Sequence, residues 1–198
     1  MANSKFDTFL ERLKGNKRII VQAHDFPDHD ALSSAYALAY LLKKKGFHPF
    51  ITFHGYIDRV SLRNLIDWLE IPIYEPKDLK LQPDDKIIVV DGCIGEKNVT
   101  DVPGLEVAVI DHHQVKVPEF VWYSDVRANY GATATMMVEY YRYFSLPMPQ
   151  KVATALLVGL SFDTANFTRA VGSADLKALL YLQAVSYTHL TLPTINWV

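Results

Sequence analysis

Hydrophobic and polar residues along the chain follow two patterns, short apolar runs and longer segments with helical spacing. Four short apolar runs predict strands, at residues 18–23, 48–53, 86–90 and 106–110. Apolar residues recur at helical intervals in six further segments, at 5–14, 31–45, 59–69, 131–144, 150–161 and 173–185. Apolar strands that alternate with amphipathic helices predict an α/β fold, with a mostly parallel β-sheet flanked by helices.

The length of the chain, 198 residues with 49% of them hydrophobic, suits a domain of ordinary size with a substantial core. We expect one domain over residues 1–185. Residues 186–198 have no helical period and resemble the adaptor-derived translations found at the ends of truncated environmental reading frames. We therefore expect a tail there that is non-native or disordered; a native, partly ordered terminus is the alternative.

Composition narrows the classes of partner. The formal net charge of −2 gives no overall electrostatic reason to bind duplex DNA. No apolar run reaches the roughly 18 residues of a membrane span, and the first residues lack a signal region. The single cysteine, Cys93, excludes an internal disulfide and fits a reducing compartment. We expect a cytoplasmic protein with no membrane partner.

Acidic residues and histidines follow three of the predicted strands. Residues 24–30 (HDFPDHD) come after the first strand, Asp91 after the third, and residues 111–113 (DHH) after the fourth. A fourth candidate, Asp163, ends the apolar run 155–162. Because the carboxyl ends of parallel strands form the ligand crevice of such sheets, we expect these groups to converge on one edge.

Carboxylates packed this closely repel one another unless cations balance them. A pair of divalent ions would do so, and oxygen and nitrogen ligands suit Mn²⁺, with Mg²⁺ or Co²⁺ as alternatives. Each group alone has a simpler interpretation. Asp30 could cap the helix that starts at Ala31, and a lone pair of histidines is more often surface or core. Three coincident strand ends favour the metal site.

Four segments resemble, in order, the motifs of the DHH phosphoesterases. They are residues 24–34 (HDFPDHDALSS), 89–91 (VVD), 109–113 (VIDHH) and 159–164 (GLSFDT). Within the family, the first motif is similar to the branch of nanoRNases (oligoribonucleases) and 3′-phosphoadenosine 5′-phosphate phosphatases. It is less similar to the inorganic pyrophosphatases, which tend to have Asp-Ser where this chain has Asp30-Ala31.

The resemblance implies a role for each matching residue. One metal would be held by three side chains and the other by four, with Asp91 bridging the two ions. The first set is His24, Asp28 and Asp91, and the second is Asp30, Asp91, His112 and Asp163. His113 would contact the substrate phosphate as a hydrogen-bond donor or acid, and Asp111 would orient the two histidines. A hydroxide between the two metals would be the nucleophile.

Residues 124–135 also resemble the family, and small and hydroxyl residues open a helix there. The backbone N–H groups of such a helix start favour an anion, although an ordinary helix cap is the alternative interpretation. Arg127, Asn166 and Arg169 are further candidates for substrate contacts.

The resemblance implies a metal-dependent phosphoesterase acting on short single-stranded oligonucleotides or 3′-phosphorylated nucleotides. Cyclic dinucleotides and pyrophosphate are the alternative substrates, and a non-catalytic nucleotide-binding module is the alternative of another class. Members of the branch continue into a second, DHH-associated domain with a Gly-rich motif, which we do not find in this sequence. A homodimer is among the oligomeric states left open.

Overall fold

The computed structural model describes residues 2–16 and 18–187, and six strands of this part of the chain form one parallel sheet. The strand order is β3-β2-β1-β4-β5-β6. The strands are β1 (Ile19–Ala23), β2 (Pro49–Thr52), β3 (Ile73–Tyr74), β4 (Lys86–Val90), β5 (Leu105–Asp111) and β6 (Tyr123–Val126). Every adjacent pair is parallel, which confirms the predicted α/β class.

Helices connect the strands and cover the sheet. They are α1 (Ala2–Leu13), α2 (His29–Lys44), α3 (Val60–Leu69), α4 (Pro76–Leu79), α5 (Thr133–Tyr143), α6 (Gln150–Asp163) and α7 (Ser173–Val185). The six predicted helices and four predicted strands are all present, with ends shifted by three residues at most. Strands β3 and β6 and helix α4 were not predicted from the sequence.

The two faces of the sheet are covered unequally. Side chains alternate along the strands, so that Val21 and Ile88 belong to a large apolar cluster while Ile20 and Ile87 belong to a small one. The large cluster includes residues of α1, α2, α3, α5, α6 and α7. The small one is closed by Leu79 of α4 and by loop residues that include the buried Cys93, Val99 and Val102. The helices that support the candidate site therefore lie mainly on one face.

The order in which the chain adds strands to the sheet reverses between β1 and β4. From β1 the chain proceeds to β2 and β3 on one side, and it then returns to β4 on the other side of β1. Ala23 pairs with Val90 at the ends of these two strands, so the next residues, His24 and Asp91, leave the sheet side by side. This is the topological switch point at which ligands bind to sheets of this kind.

The start of the expected tail is in contact with the domain. The amide of Ser186 donates to the carbonyl oxygen of Leu182 at 2.8 Å, and the ring centroid of Tyr187 lies 5.4 Å from that of Trp68. The remainder of that tail, residues 188–198, lies outside the described residues. The domain boundary at residue 185 stays a prediction.

Among residues 2–16 and 18–187, the structure has no helix with both the length and the apolar character needed to cross a membrane.

Candidate metal centre

Three of the predicted ligands form one group at the switch point. Nε2 of His24 lies 3.9 Å from Oδ1 of Asp28 and 3.8 Å from Oδ2 of Asp91. The other ring nitrogen of His24, Nδ1, lies 2.8 Å from the carbonyl oxygen of Asp25. A proton on Nδ1 would donate to that carbonyl and leave the Nε2 lone pair facing the two carboxylates, which is the arrangement that histidine ligands of metals have.

Asp28 also fixes the start of α2. Its Oδ1 accepts hydrogen bonds from the amides of Asp30, at 2.9 Å, and Ala31, at 3.1 Å. Asp28 is therefore the N-cap of α2. The interpretation of Asp30 as that cap is wrong, since helix α2 already starts at His29 and Asp30 lies in its first turn.

A second group joins Asp30, His112 and Asp163, with ligand atoms that all lie within 4.8 Å of one another. Nε2 of His112 is 3.1 Å from Oδ2 of Asp163 and 3.6 Å from Oδ1 of Asp91. Its Nδ1 lies 3.1 Å from the carbonyl oxygen of Tyr130, a contact that would hold the proton on that nitrogen. The two oxygens of Asp91 thus face different histidines, His24 and His112, as a bridging carboxylate would.

The first turn of α5 holds two of these carboxylates. The amides of Thr133 and Ala134 donate to Asp30 at 2.6 and 2.9 Å, and Oγ of Ser34 donates to it at 3.3 Å. Oγ1 of Thr133 donates to Oδ1 of Asp91 at 2.8 Å. The sequence predicted that this helix start favours an anion, and in the structure its amides donate to the carboxyl group of Asp30.

Burial and mutual repulsion shift the titration of the cluster. Burial raises the pKa of Asp91 and of Asp30 well above the usual range, and neighbouring carboxylates raise both further. Burial alone would lower the pKa of His112, but its contacts with Asp163, Asp91 and Asp30 raise it to about 10. Without added cations, the cluster therefore gains positive charge by binding protons.

The residues present fit divalent cations. Nε2 of His112 is buried and has no partner with hydrogen-bond geometry among the described residues, although Oδ2 of Asp163 is near. A buried nitrogen without such a partner destabilises the folded state unless a ligand binds to it. Carboxylate oxygens and imidazole nitrogens are a donor set that suits Mn²⁺ and its neighbours.

His113 has a different environment from His112. The side chain of His113 is 55% exposed, compared with 10% for His112. Nδ1 of His113 lies 2.8 Å from Oδ1 of Asp111, and its amide donates to the same oxygen at 3.0 Å. The contact with Asp111 raises the pKa of His113. Burial alone would raise the pKa of Asp111, but the hydrogen bonds from His113 lower it.

The sequence that forms this site also matches a known protein family. The sequence profile described as "DHH family, N-terminal domain" matches residues 18–160, which is more than half of the chain. The chain belongs to the DHH family. The matched range includes β1 to β6 and every candidate ligand except Asp163.

Similar proteins differ in their names and in their length. The DHH chain is 30% identical over 177 residues to uncharacterized protein MJ1633 of Methanocaldococcus jannaschii, covering 88% of this chain and 37% of that protein. It is 24% identical to the cyclic-di-AMP phosphodiesterase GdpP of Geobacillus thermodenitrificans, covering 88% and 29%. It is 25% identical to a probable manganese-dependent inorganic pyrophosphatase of Lactobacillus gasseri, covering 73% and 47%. The DHH chain thus spans less than half the length of these three relatives.

Solved structures support the fold. A putative family II inorganic pyrophosphatase of Methanococcus jannaschii superposes with a TM-score of 0.68 and 24% identity, covering 85% of this chain and 56% of that one. None of these relatives is named a nanoRNase or a phosphoadenosine phosphatase, so assignment to that branch of the DHH family stays a prediction.

The candidates for substrate contacts lie in two different environments. Arg127 donates to Oδ1 and Oδ2 of Asp125 at 2.8 and 2.7 Å and also to Glu139 and the hydroxyl of Tyr130. Its guanidinium is therefore committed to partners inside the DHH domain. Asn166 and Arg169 follow α6 and are exposed, and Arg169 donates to the carbonyl oxygen of Asp163 at 3.1 Å. Their contacts with a substrate stay predictions.

Sequence reasoning missed residues that position the ligands. Thr133 is the clearest example, since it binds Asp91 through its hydroxyl and Asp30 through its amide. Gly159 is another, because a Cβ there would lie 2.2 Å from Oγ of Ser33 and 3.0 Å from Cα of Asp30. Glycine at 159 therefore lets α6 pass close to α2. The motif around 159–164 held a signal for Gly159, whereas nothing in the spacing of the sequence connects Thr133 to Asp91.

Proposed function

We propose that this DHH domain hydrolyses phosphoester or phosphoanhydride bonds with two divalent ions, Mn²⁺ in the first place. Within that class we propose short oligonucleotides and 3′-phosphorylated nucleotides as substrates. The observation that carries the proposal is the position of Asp91 at the switch point, with one oxygen 3.8 Å from His24 and the other 3.6 Å from His112. Paired sites with a shared carboxylate are typical of two-metal phosphoryl transfer.

The protein would hold and orient the reacting groups. His24, Asp28 and Asp91 would hold one ion, and Asp30, Asp91, His112 and Asp163 the other. Two bound ions supply a water of lowered pKa and neutralise the charge that develops on the phosphate oxygens. Thr133 and the amides of α5 keep Asp91 and Asp30 in place, so the ligands need little rearrangement when ions bind.

His113 is suited to contact the substrate phosphate. It is half-exposed at the rim of the cluster, and its hydrogen bond with Asp111 favours the protonated ring, which donates from both nitrogens. A protonated imidazole can donate a hydrogen bond to a phosphate oxygen or a proton to a leaving oxygen. The role of Asp111 would be to keep His113 charged and oriented.

Cyclic dinucleotides and pyrophosphate are second candidate substrates, favoured by the names of two relatives, GdpP and the pyrophosphatase. Both would use the same cluster of ligands, so the metal centre does not discriminate among them. A non-catalytic nucleotide-binding module would bind nucleotide without tightly bound ions, and metal analysis separates that alternative.

The test of the function is a panel of substrates with the purified 198-residue chain. A dinucleotide, 3′-phosphoadenosine 5′-phosphate, a cyclic dinucleotide and pyrophosphate would each be assayed with Mn²⁺ and after chelation. We expect Mn²⁺-dependent hydrolysis, fastest on the first two. Absence of metal-dependent hydrolysis of all four would refute the proposal.

A matched pair of histidine variants tests the role of His113. His113→Gln should lower kcat on the order of 100-fold, because a general acid or phosphate donor is lost, while the Mn²⁺ content is kept. His48→Gln, next to the amino end of β2, should leave both unchanged. Loss of Mn²⁺ from His113→Gln would indicate that His113 is a ligand instead.

A further inference from the structure

An exposed pair of aromatic side chains lies beside the candidate metal centre. Phe26 is 52% exposed and Tyr56 is 63% exposed, with ring centroids 5.1 Å apart and ring planes at 81°. Phe26 is two residues from His24 and two from Asp28, so its Cα lies within roughly 7 Å of theirs. Large exposed aromatic rings next to a polar site are typical of a binding surface.

The backbone fixes this pair in place. Phe26 has a φ of 50°, a left-handed conformation that is unfavourable for a bulky residue, and its amide donates to the carbonyl oxygen of His54 at 2.9 Å. Gly55 packs on the Phe26 ring so closely that a Cβ would lie 2.7 Å from the ring carbons. Strain of this kind persists where the surrounding structure imposes it, and it is concentrated at functional sites.

A hydrogen-bond network joins the two loops that carry the pair. Asp25 accepts from the amide and the hydroxyl of Thr100 at 3.0 and 2.6 Å, and its Oδ2 lies 3.7 Å from Nδ1 of His54. The loop after β1, the loop after β2 and the loop after β4 are thereby held together at the carboxyl edge of the sheet. Because Asp25 precedes Phe26 and His54 lies two residues before Tyr56, the network holds the backbone next to both rings.

A cavity adjoins the pair on the side of β2 and β3. Its volume is about 700 Å³, and its lining includes Phe53, His54, Tyr56, Tyr74 and Lys77. This volume is within the range of pockets that bind small molecules. The lining combines aromatic rings with the ion pair of Lys77 and Glu75, whose Nζ and Oε2 atoms lie 2.6 Å apart. Because these two charges balance each other, the aromatic rings are the part of the lining that suits a base.

We propose that Phe26 and Tyr56 bind a nucleobase of the substrate while its phosphate lies at the metal centre. The proposal rests on the proposed function, and it assigns the side chains that would recognise the base of a nucleotide substrate. Every nucleobase has a π face, so stacking on aromatic rings would select nucleotides as a class without selecting one base. Pyrophosphate has no base and would gain nothing from these rings.

The test compares substrates with and without a base in the 198-residue chain. Phe26→Leu and Tyr56→Leu should each raise KM for a dinucleotide about tenfold, with kcat little changed, because stacking contributes to binding. Hydrolysis of pyrophosphate and the affinity for Mn²⁺ should not change. Tyr56→Phe, which keeps the ring, should behave as the wild type.

Phe120→Leu is the matched control, since Phe120 is 57% exposed but lies before β6, at the amino end of the strands. We expect no change in KM from it. An equal loss of kcat/KM for the dinucleotide and for pyrophosphate in Phe26→Leu would overturn the inference, since it would indicate a structural role for Phe26. Unchanged KM values for the dinucleotide in both Leu variants would also overturn it.

Direct binding separates this inference from the proposed function. Adenosine 5′-monophosphate would be titrated into the wild type and into Phe26→Leu by calorimetry with Mn²⁺ present. If the wild type hydrolyses none of the substrates, the proposed function fails; nucleotide binding that Phe26→Leu weakens about tenfold would still support the aromatic subsite. Failure of the wild type to bind the nucleotide would overturn the subsite.

Discussion

Two groups of buried charged side chains lie against helix α5, and they differ in how their charges are balanced. The first turn of α5 contacts the metal cluster, defined as the ligand candidates His24, Asp28, Asp30, Asp91, His112 and Asp163. The next turns contact the Asp125 network, defined as Tyr123, Asp125, Arg127, Tyr130, Glu139 and Tyr140.

The Asp125 network is complete within the chain. Asp125 accepts two hydrogen bonds from Arg127 and one from the hydroxyl of Tyr140 at 2.8 Å. Arg127 also pairs with Glu139. Burial alone would lower the pKa of Arg127, but these carboxylates raise it, so the guanidinium stays charged. Every charge here has an opposite charge beside it.

The metal cluster has no comparable balance. In the described part of the chain, the ion pairs of its four carboxylates are with histidines, and Asp30 has none. Burial and repulsion raise the pKa of Asp30 and Asp91 well above the usual range. Burial is similar in both groups, so it does not separate a structural site from a functional one. The balance of charge does, because only the metal cluster needs cations from outside.

Removal of the shared ligand should have the largest effect. Asp91→Asn should abolish Mn²⁺ binding and lower hydrolysis on the order of 1,000-fold or more, since both ions lose a ligand. The free energy of unfolding of the metal-free protein should not fall, because one of several repelling carboxylates is gone while Thr133 still has an oxygen to bind. Calorimetric titration with Mn²⁺, activity assays and urea unfolding measure the three quantities.

Asp101→Asn is the control, since this exposed residue lies in the loop before β5. It should change none of the three. Activity retained in Asp91→Asn would contradict the bridging role. A large fall in the free energy of unfolding of the metal-free protein would indicate that Asp91 stabilises the fold, as Asp125 does.

The opposite result is expected in the Asp125 network. Arg127→Met should destabilise the protein by about 3 kcal/mol, because the buried Asp125 loses its partner. The loss should be the same with and without Mn²⁺, and Mn²⁺ affinity should not change. Urea unfolding in the presence and absence of the metal measures it. A raised KM with unchanged stability would instead support the predicted substrate contact of Arg127.

The sequence predicted the part of the fold that consists of long, strongly patterned elements. Strand β4 and helix α7 were predicted at the bounds that the structure has. Strand β6 was missed because its sequence, YSDV, is short and half polar, and β3 has two residues. Both are at the edges of the sheet, where hydrogen bonds with one neighbour define a strand that composition does not reveal.

The candidate ligands were predictable for a related reason. His24, Asp91 and His112 each directly follow an apolar strand, and parallel strands bring their carboxyl ends together. The groups that orient the ligands were not predictable in this way. Thr133 is 42 residues from Asp91, and the carbonyl oxygen of Tyr130 that contacts His112 belongs to the backbone, which has no residue signature.

Loss of the Thr133 hydroxyl, which contacts the metal cluster, should have a smaller effect. Thr133→Val keeps the shape of the side chain but removes the hydroxyl that donates to Asp91. We expect Mn²⁺ affinity to fall about tenfold, as for other residues that orient metal ligands. Thr133→Ser keeps the hydroxyl and is the matched control. Calorimetric titration with Mn²⁺ compares the two, and equal affinities for Val and Ser would show that the hydroxyl does not position Asp91.

The smallest expected effect is on stability at low pH, and it involves a charged pair at the amino ends of β1 and β4. Arg18, before β1, donates to Oδ1 of Asp85, before β4, at 2.9 Å, and the hydrogen bonds from Arg18 hold the pKa of that carboxyl below its usual value. A lowered pKa in the folded state stabilises the protein at pH values above the unfolded pKa of about 4, and this contribution is lost as the pH falls through the folded value.

Arg18→Met should therefore lower the free energy of unfolding by about 1 kcal/mol at pH 7, and the difference from wild type should shrink below about pH 4. Because this pair is balanced within the chain, the difference should be the same with Mn²⁺ and with a chelator. Lys97→Met, at an exposed lysine in the loop after β4, should show no such difference. Urea unfolding across the pH range measures it, and an undiminished difference at pH 2.5 would refute the assignment, because the Asp85 carboxylate would then not be its source.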